Sequence, residues 1–292
     1  SFVNALNKAT EVDIVNNSWG FSNSFGDNFA YSWTYGLRDA LENIVENGRD
    51  GLGTINVFSG GNSREEGDSG NYHNMGNSPY TISVGATDSD GTYSYFSSPG
   101  ASLLVSAPGT SLYTADRSGS NGYSSGDYTY FGGTSGSAPI VSGVIGLILE
   151  ANDDLGYRDV QEILAYSARH NDPGNSSWEY NNARNWNGGG LHFSNDYGFG
   201  LVDATAAVRL AESWTEQKTF ANLQSFSASN SSALSLGDTG SWETTINISN
   251  NLDIEHVLIN TDEWICACPV ETSIGLKLPI KELYKLKKKN KI

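Results

Sequence analysis

The feature that most restricts what this chain can fold into is a strand, helix, strand series near its N-terminus. The segment VDIVNNSWG (12–20) reads as a short buried strand. YGLRDALENIVENGRDG (35–51) places Leu37, Leu41, Ile44 and Val45 at helical spacing and has Gly48 near its end. TINVFSG (54–60) is β-branched and apolar again, the pattern of a strand buried on both faces. Two strands joined through a helix in one sheet run parallel, with a right-handed crossover. An α/β architecture follows.

The rest of the first two thirds extends that pattern. YTISVGAT (80–87) and LLVSAPG (103–109) add two short strands. An apolar run through Ile140, Val144, Leu147 and Ile148 predicts a central helix, and YRDVQEILAYSA (157–168) predicts another. Gly-, Tyr- and Asn-rich stretches at 114–131 and 171–198 read as surface loops. The expected fold is a three-layer α/β domain with a mostly parallel sheet. Ligands in such sheets bind beyond the carboxyl ends of the strands. NSWG and GGNS each follow a strand directly, so Ser18, Trp19, Gly20, Gly60, Gly61 and Asn62 are expected on one sheet edge.

Composition narrows the partners. The formal net charge is −16, and seven of the 17 Lys and Arg lie from Lys277 onward, where Glu282 is the only acid. Residues 1–276 therefore hold 10 basic against 32 acidic side chains. Such a body repels nucleic acid and anionic lipid and favours cationic substrates or metal ions. Cys266 and Cys268 form a lone C-x-C, short of the four ligands of a structural zinc site. No uninterrupted apolar run reaches the ~18 residues of a membrane span. The acidic, Lys-poor and otherwise Cys-free composition suits a secreted or periplasmic bacterial protein.

The chemistry is expected at GGTSGSAP (132–139), set directly ahead of the apolar helix. A serine at a helix start has a backbone N–H without a helical acceptor, and the helix dipole favours negative charge beside it. Gly133, Gly136 and Ala138 let a peptide backbone come close, and Pro139 is expected in the first turn. An isolated serine there is usually no more than an N-cap. The amide of Asn62 in VFSGGNS changes the balance. Together with the Ser135 N–H it would hold the oxyanion of a tetrahedral intermediate.

On these motifs the chain resembles subtilisin-type serine endopeptidases of the peptidase S8 family, in particular the kexin and proprotein-convertase branch. GGTSGSAP resembles the family's nucleophile signature, which makes Ser135 the nucleophile; SGGN resembles its oxyanion loop, with Asn62 as donor. NNSWG resembles the strand end where substrate pairs as an added strand. YGFGLVDATAAV (197–208) resembles the closing strand and helix of the catalytic domain. The resemblance implies a catalytic portion at 1–212, a linker at 213–221 and the opening strands of a β-sandwich P-type domain at 222–264. It also implies a propeptide or chaperone as partner, calcium held by Asp68, and cleavage after basic residues. Asn23 and His73 stand where pocket carboxylates are expected, while Glu65, Glu66 and Asp68 keep that neighbourhood acidic.

Two departures qualify this. The family order is Asp, then a His in an HGT sequence, then Ser. Here His73, His170, His192 and His256 are followed by Asn, Asn, Phe and Val, so none has the setting of the general base. The expectation is a chain that begins after the Asp and His. In a subtilisin, loss of the serine or histidine costs about 10⁶ in turnover, so this chain alone is expected to be nearly inert. The basic stretch 265–292 resembles nothing in a P-type domain and reads as an anomalous tail, out of frame. The alternative is a non-catalytic fragment or pseudoenzyme that keeps a peptide groove. An α/β-hydrolase esterase would need a G-x-S-x-G elbow after a strand, which GTSGS lacks.

Overall fold

The computed structural model describes residues 2–21, 23–34, 36–180 and 191–227. The chain divides into two compact units, 1–223 and 224–292. Nearly all of the second lies outside the described residues, as do the expected sandwich strands beyond residue 227, the 265–292 tail, both cysteines and His256.

In chain order the first unit contains α1 (Phe2–Asn7), β1 (Ile14–Asn17), α2 (Leu37–Asn47), β2 (Ile55–Ser59), β3 (Ile82–Thr87) and β4 (Leu103–Pro108). There follow β5 (Leu112–Ala115), β6 (Tyr128–Phe131), α3 (Thr134–Ala151), α4 (Tyr157–Ser167), β7 (Glu179–Tyr180), β8 (His192–Phe193) and α5 (Ala204–Glu212). β1 to β4 form one parallel sheet in sequential order, with Ile14 beside Ile55, Val57 beside Ile82 and Val84 beside Val105. The fold is α/β, as the sequence predicts. β3 is buried at every position and β2 at all but its last, as strands covered on both faces must be.

The crossover helix α2 buries Leu37, Ala40, Leu41, Ile44 and Val45, an unbroken stripe at helical spacing. It ends at Gly48, whose N–H closes on the Ile44 carbonyl. α3 packs on all four strands of the sheet through Ala138, Val141, Ile145 and Ile148, each fully buried. Over its 18 residues the mean hydropathy is 1.3, long and apolar enough for a membrane span, but its position on the sheet accounts for that apolarity. Leu147, expected to face inward, is 53% exposed; Ile145 takes the buried position instead.

Two further expectations are corrected. The stretch 114–131 is not loop throughout, because it holds β6 and the end of β5, which pair antiparallel with Thr114 opposite Thr129 and Tyr113, just ahead of the stretch, opposite Tyr130. Its aromatic positions are exposed on the hairpin and stack on one another, Tyr113 against Tyr128 at 5.3 Å, so no buried face reveals the strands in the sequence. Pro139 lies in the second turn of α3, not the first, since the helix already starts at Thr134. Residues 213–223 return onto α4: Trp214 Nε1 and the Lys218 backbone N–H donate to the buried Asp159 carboxylate, at 2.9 and 2.7 Å.

Candidate active site

The carboxyl ends of β1 and β2 and the N-terminus of α3 meet at one edge of the sheet. A cavity of about 250 Å³ opens there, and Ser135, Asn62, Trp19, Gly20, Gly60, Gly61 and Asp68 all line it. Of the residues expected at the site, Ser18 lies beside that lining and bonds to the Ser135 backbone, while Asn23, Glu65 and Glu66 are not in it.

Ser135 is the second residue of α3. Gly133 starts the helix with φ +96°, a conformation that favours glycine, and an added Cβ there would lie 3.4 Å from Asn62 Nδ2. Asn62 is fixed by the next residue along. Its Oδ1 accepts from the Thr134 N–H at 2.8 Å and from the Thr134 hydroxyl at 2.9 Å. A backbone N–H can only donate, so the oxygen of the carboxamide must face Thr134 and the NH₂ must be its other end. That NH₂ has no acceptor among the described residues. Thr134 also takes a bond from the Gly61 N–H at 3.3 Å through its hydroxyl, which ties the β2 loop to the helix start. Gly61 has φ +105°, so this loop conformation too favours glycine.

The helix start is held from β1 as well. An α-helical carbonyl normally accepts from the N–H four residues on, and for Ser135 that residue is Pro139, which has none. The Ser18 hydroxyl donates to this carbonyl instead, at 2.9 Å, and itself accepts from Asn16 Nδ2 at 2.9 Å. Trp19, stacked on Phe2 and edge-on to Phe58, carries one wall, its Nε1 donating to Asn17 Oδ1 at 3.0 Å.

The same cavity has an acidic end. Asp68 Oδ1 accepts from Ser24 Oγ at 2.8 Å, and Asp68 Oδ2 lies 2.9 Å from His73 Nε2. His73 Nδ1 lies 3.6 Å from Asp27 Oδ1. Asp27, 1% exposed, accepts the Met75 N–H through Oδ2 at 2.7 Å, while its buried Oδ1 accepts no hydrogen bond. The close polar contact with Asp27 does most to raise the His73 pKa above the ordinary histidine value; burial opposes this and Asp68 adds to it. Asp27 escaped the sequence reading, which put Asn23 at the pocket; a buried acid within FGDNF leaves no periodic signal. Glu65 and Glu66, expected near the cleft, are exposed and not in its lining.

Two roles fit poorly. Calcium takes six to eight oxygen ligands, whereas Asp68 is engaged by Ser24 and His73, and no group of three or more His, Cys, Asp or Glu among the described residues is arranged to hold a metal ion. The donor set does not fit that ion. His73 shares the cavity with Ser135, but both its ring nitrogens face carboxylates, which leaves no lone pair for a serine proton. His170 and His192 sit elsewhere, among Trp178 and Tyr180. Burial, and then the neighbouring His170, lower the pKa of His192.

Comparison with known proteins places the chain in a family. The Peptidase S8 subtilase family model matches residues 3–200. A dibasic-processing endoprotease of Schizosaccharomyces pombe is 37% identical over 183 residues, covering 61% of this chain and 24% of that protein. Proprotein convertase subtilisin/kexin type 7 of Homo sapiens is 33% identical over 219 residues, covering 72% and 26%. The chain thus spans about a quarter of the length of these curated relatives. Among solved structures, an Aeromonas sobria serine protease in complex with its chaperone superposes with TM-score 0.66 at 22% identity, over 73% of this chain and 46% of that one. A protease of Pseudoalteromonas arctica superposes with TM-score 0.55 at 26% identity, over 72% and 57%.

Proposed function

The chain belongs to the subtilase family, and from that premise we propose that it carries the nucleophile and oxyanion half of a serine endopeptidase. Ser135 attacks the scissile carbonyl and forms the acyl-enzyme; the oxyanion is held by the Ser135 N–H and the Asn62 NH₂. The single observation that carries this reading is the pair of bonds from Thr134 to Asn62 Oδ1, which leaves the NH₂ as the free end of an amide fixed beside Ser135. Trp19 and Gly20 at the end of β1, with Gly60 and Gly61 at the end of β2, offer backbone to an extended peptide.

The general base belongs to a segment with the family's Asp and HGT histidine, since both nitrogens of His73 are committed to acids. Asp27 and Asp68 in the cavity support a preference for a basic residue ahead of the cut, in keeping with relatives named for dibasic processing. A relative solved with its chaperone, and the acidic, Cys-poor composition, support an exported protein matured with a propeptide or chaperone. A fluorophosphonate probe tests the reading. With an Asp and HGT segment supplied ahead of Ser1, Ser135 should label and Ser135→Ala should not. A peptide groove without catalysis would leave Ser135 unlabelled in both cases.

A further inference from the structure

The acidic end of the cavity contains a basic side chain of its own. Asp27 and Asp68 come from separate stretches of chain, one ahead of α2 and the other after β2, and His73 is set between them with one ring nitrogen facing each. They are the only charged groups that face the His73 ring among the described residues. A single carboxylate oxygen here, Asp27 Oδ1, is buried yet accepts no hydrogen bond. A buried carboxylate oxygen left in that state is costly unless a polar or positive group is near, and the His73 ring, with Nδ1 3.6 Å away, is the group placed beside it.

We propose that His73 is a specificity-determining residue: a built-in competitor for the carboxylate pair, which holds the affinity of this pocket for a basic side chain below what Asp27 and Asp68 alone would give. The inference rests on the pocket assignment made above and deepens it. An incoming guanidinium or ammonium must share Asp27 and Asp68 with the imidazolium, and like charges at such separations repel strongly where water is scarce. Removing the imidazole both vacates space and returns two negative charges to the ligand. The protein is thereby a relaxed rather than a strict reader of basic residues.

The probe is p-aminobenzamidine, whose fluorescence reports amidinium binding without hydrolysis; its neutral isostere p-aminobenzamide separates charge from space. For the full chain, His73→Asn should tighten the amidine by at least about tenfold and leave the amide nearly unchanged, and Asp27→Asn should abolish the gain. His73→Lys, with a permanent cation at the same place, should bind the amidine more weakly than the wild type. The amidine should also raise the melting temperature of His73→Asn more than that of the wild type. An amidine affinity unchanged or weakened in a folded His73→Asn overturns the inference. If His73→Asn does not fold, a His73→Lys protein that binds as tightly as the wild type overturns it. Labelling of Ser135 is read independently. With the Asp and HGT segment supplied, a labelled protein whose amidine affinity ignores residue 73 sinks this inference alone, and tightened binding without labelling sinks the peptidase reading alone.

Discussion

The Ser18 hydroxyl donates a 2.9 Å hydrogen bond to the backbone carbonyl of Ser135, an acceptor left open because Pro139 has no N–H to offer it. The end of strand β1 and the helix that carries the proposed nucleophile are tied by this bond, whose acceptor a proline made available, and by a second from Ser142 Oγ to Asn16 Oδ1 at 3.1 Å. Ser18→Ala should cost about 0.5–1 kcal/mol, the lower half of the usual range because Ser18 is exposed and water can take over. In a Pro139→Ala background the helical bond is restored and the same change should cost close to nothing. Urea unfolding of the four proteins in this cycle measures the coupling; equal costs in both backgrounds would show that the proline is irrelevant.

Ile145 and Leu147 are two residues apart on α3, the first fully buried and the second 53% exposed. Ile145→Ala should destabilise by about 2–5 kcal/mol and Leu147→Ala by less than about 1. Similar midpoint shifts in denaturant would mean that the helix is seated the other way round on the sheet.

His73 gives a pH signature with a definite sign. Its folded pKa lies above the ordinary value of 6.5, chiefly through Asp27. The proton is therefore held more tightly in the folded state. The stabilisation is fully present below the unfolded pKa and is lost as pH rises through the folded one. The melting temperature of the wild type relative to His73→Asn should be highest at about pH 5.5 and decline above about pH 7. A difference that is flat, or that grows with pH, contradicts the placement of the imidazole between two acids.

How much of this was legible in the sequence depended on whether a residue's role left a pattern. α2 was readable because Leu37, Leu41, Ile44 and Val45 fall at helical spacing, and β2 and β3 because they lack alternation. The placement of Ser135 and Asn62 in one cavity was readable because both sit at element ends on the same edge of the sheet, a serine at a helix start and an amide on a glycine loop after a strand. The β5–β6 hairpin was hidden because its aromatic residues face outward. Asp27, and the bond from Ser18 to the Ser135 carbonyl, were hidden because the partners are 46 and 117 positions apart. Only the fold brings them into contact.

The most direct test of the central claim is the rate of fluorophosphonate labelling of Ser135, measured for the wild type and for Asn62→Asp with the Asp and HGT segment supplied to both. The aspartate keeps an oxygen for the Thr134 N–H and hydroxyl, so the loop should stay in place, but it replaces the free NH₂ with negative charge beside the developing oxyanion. The account predicts labelling slower by about 10²–10³ with a melting temperature near that of the wild type. Labelling at an undiminished rate in a folded Asn62→Asp protein would contradict it.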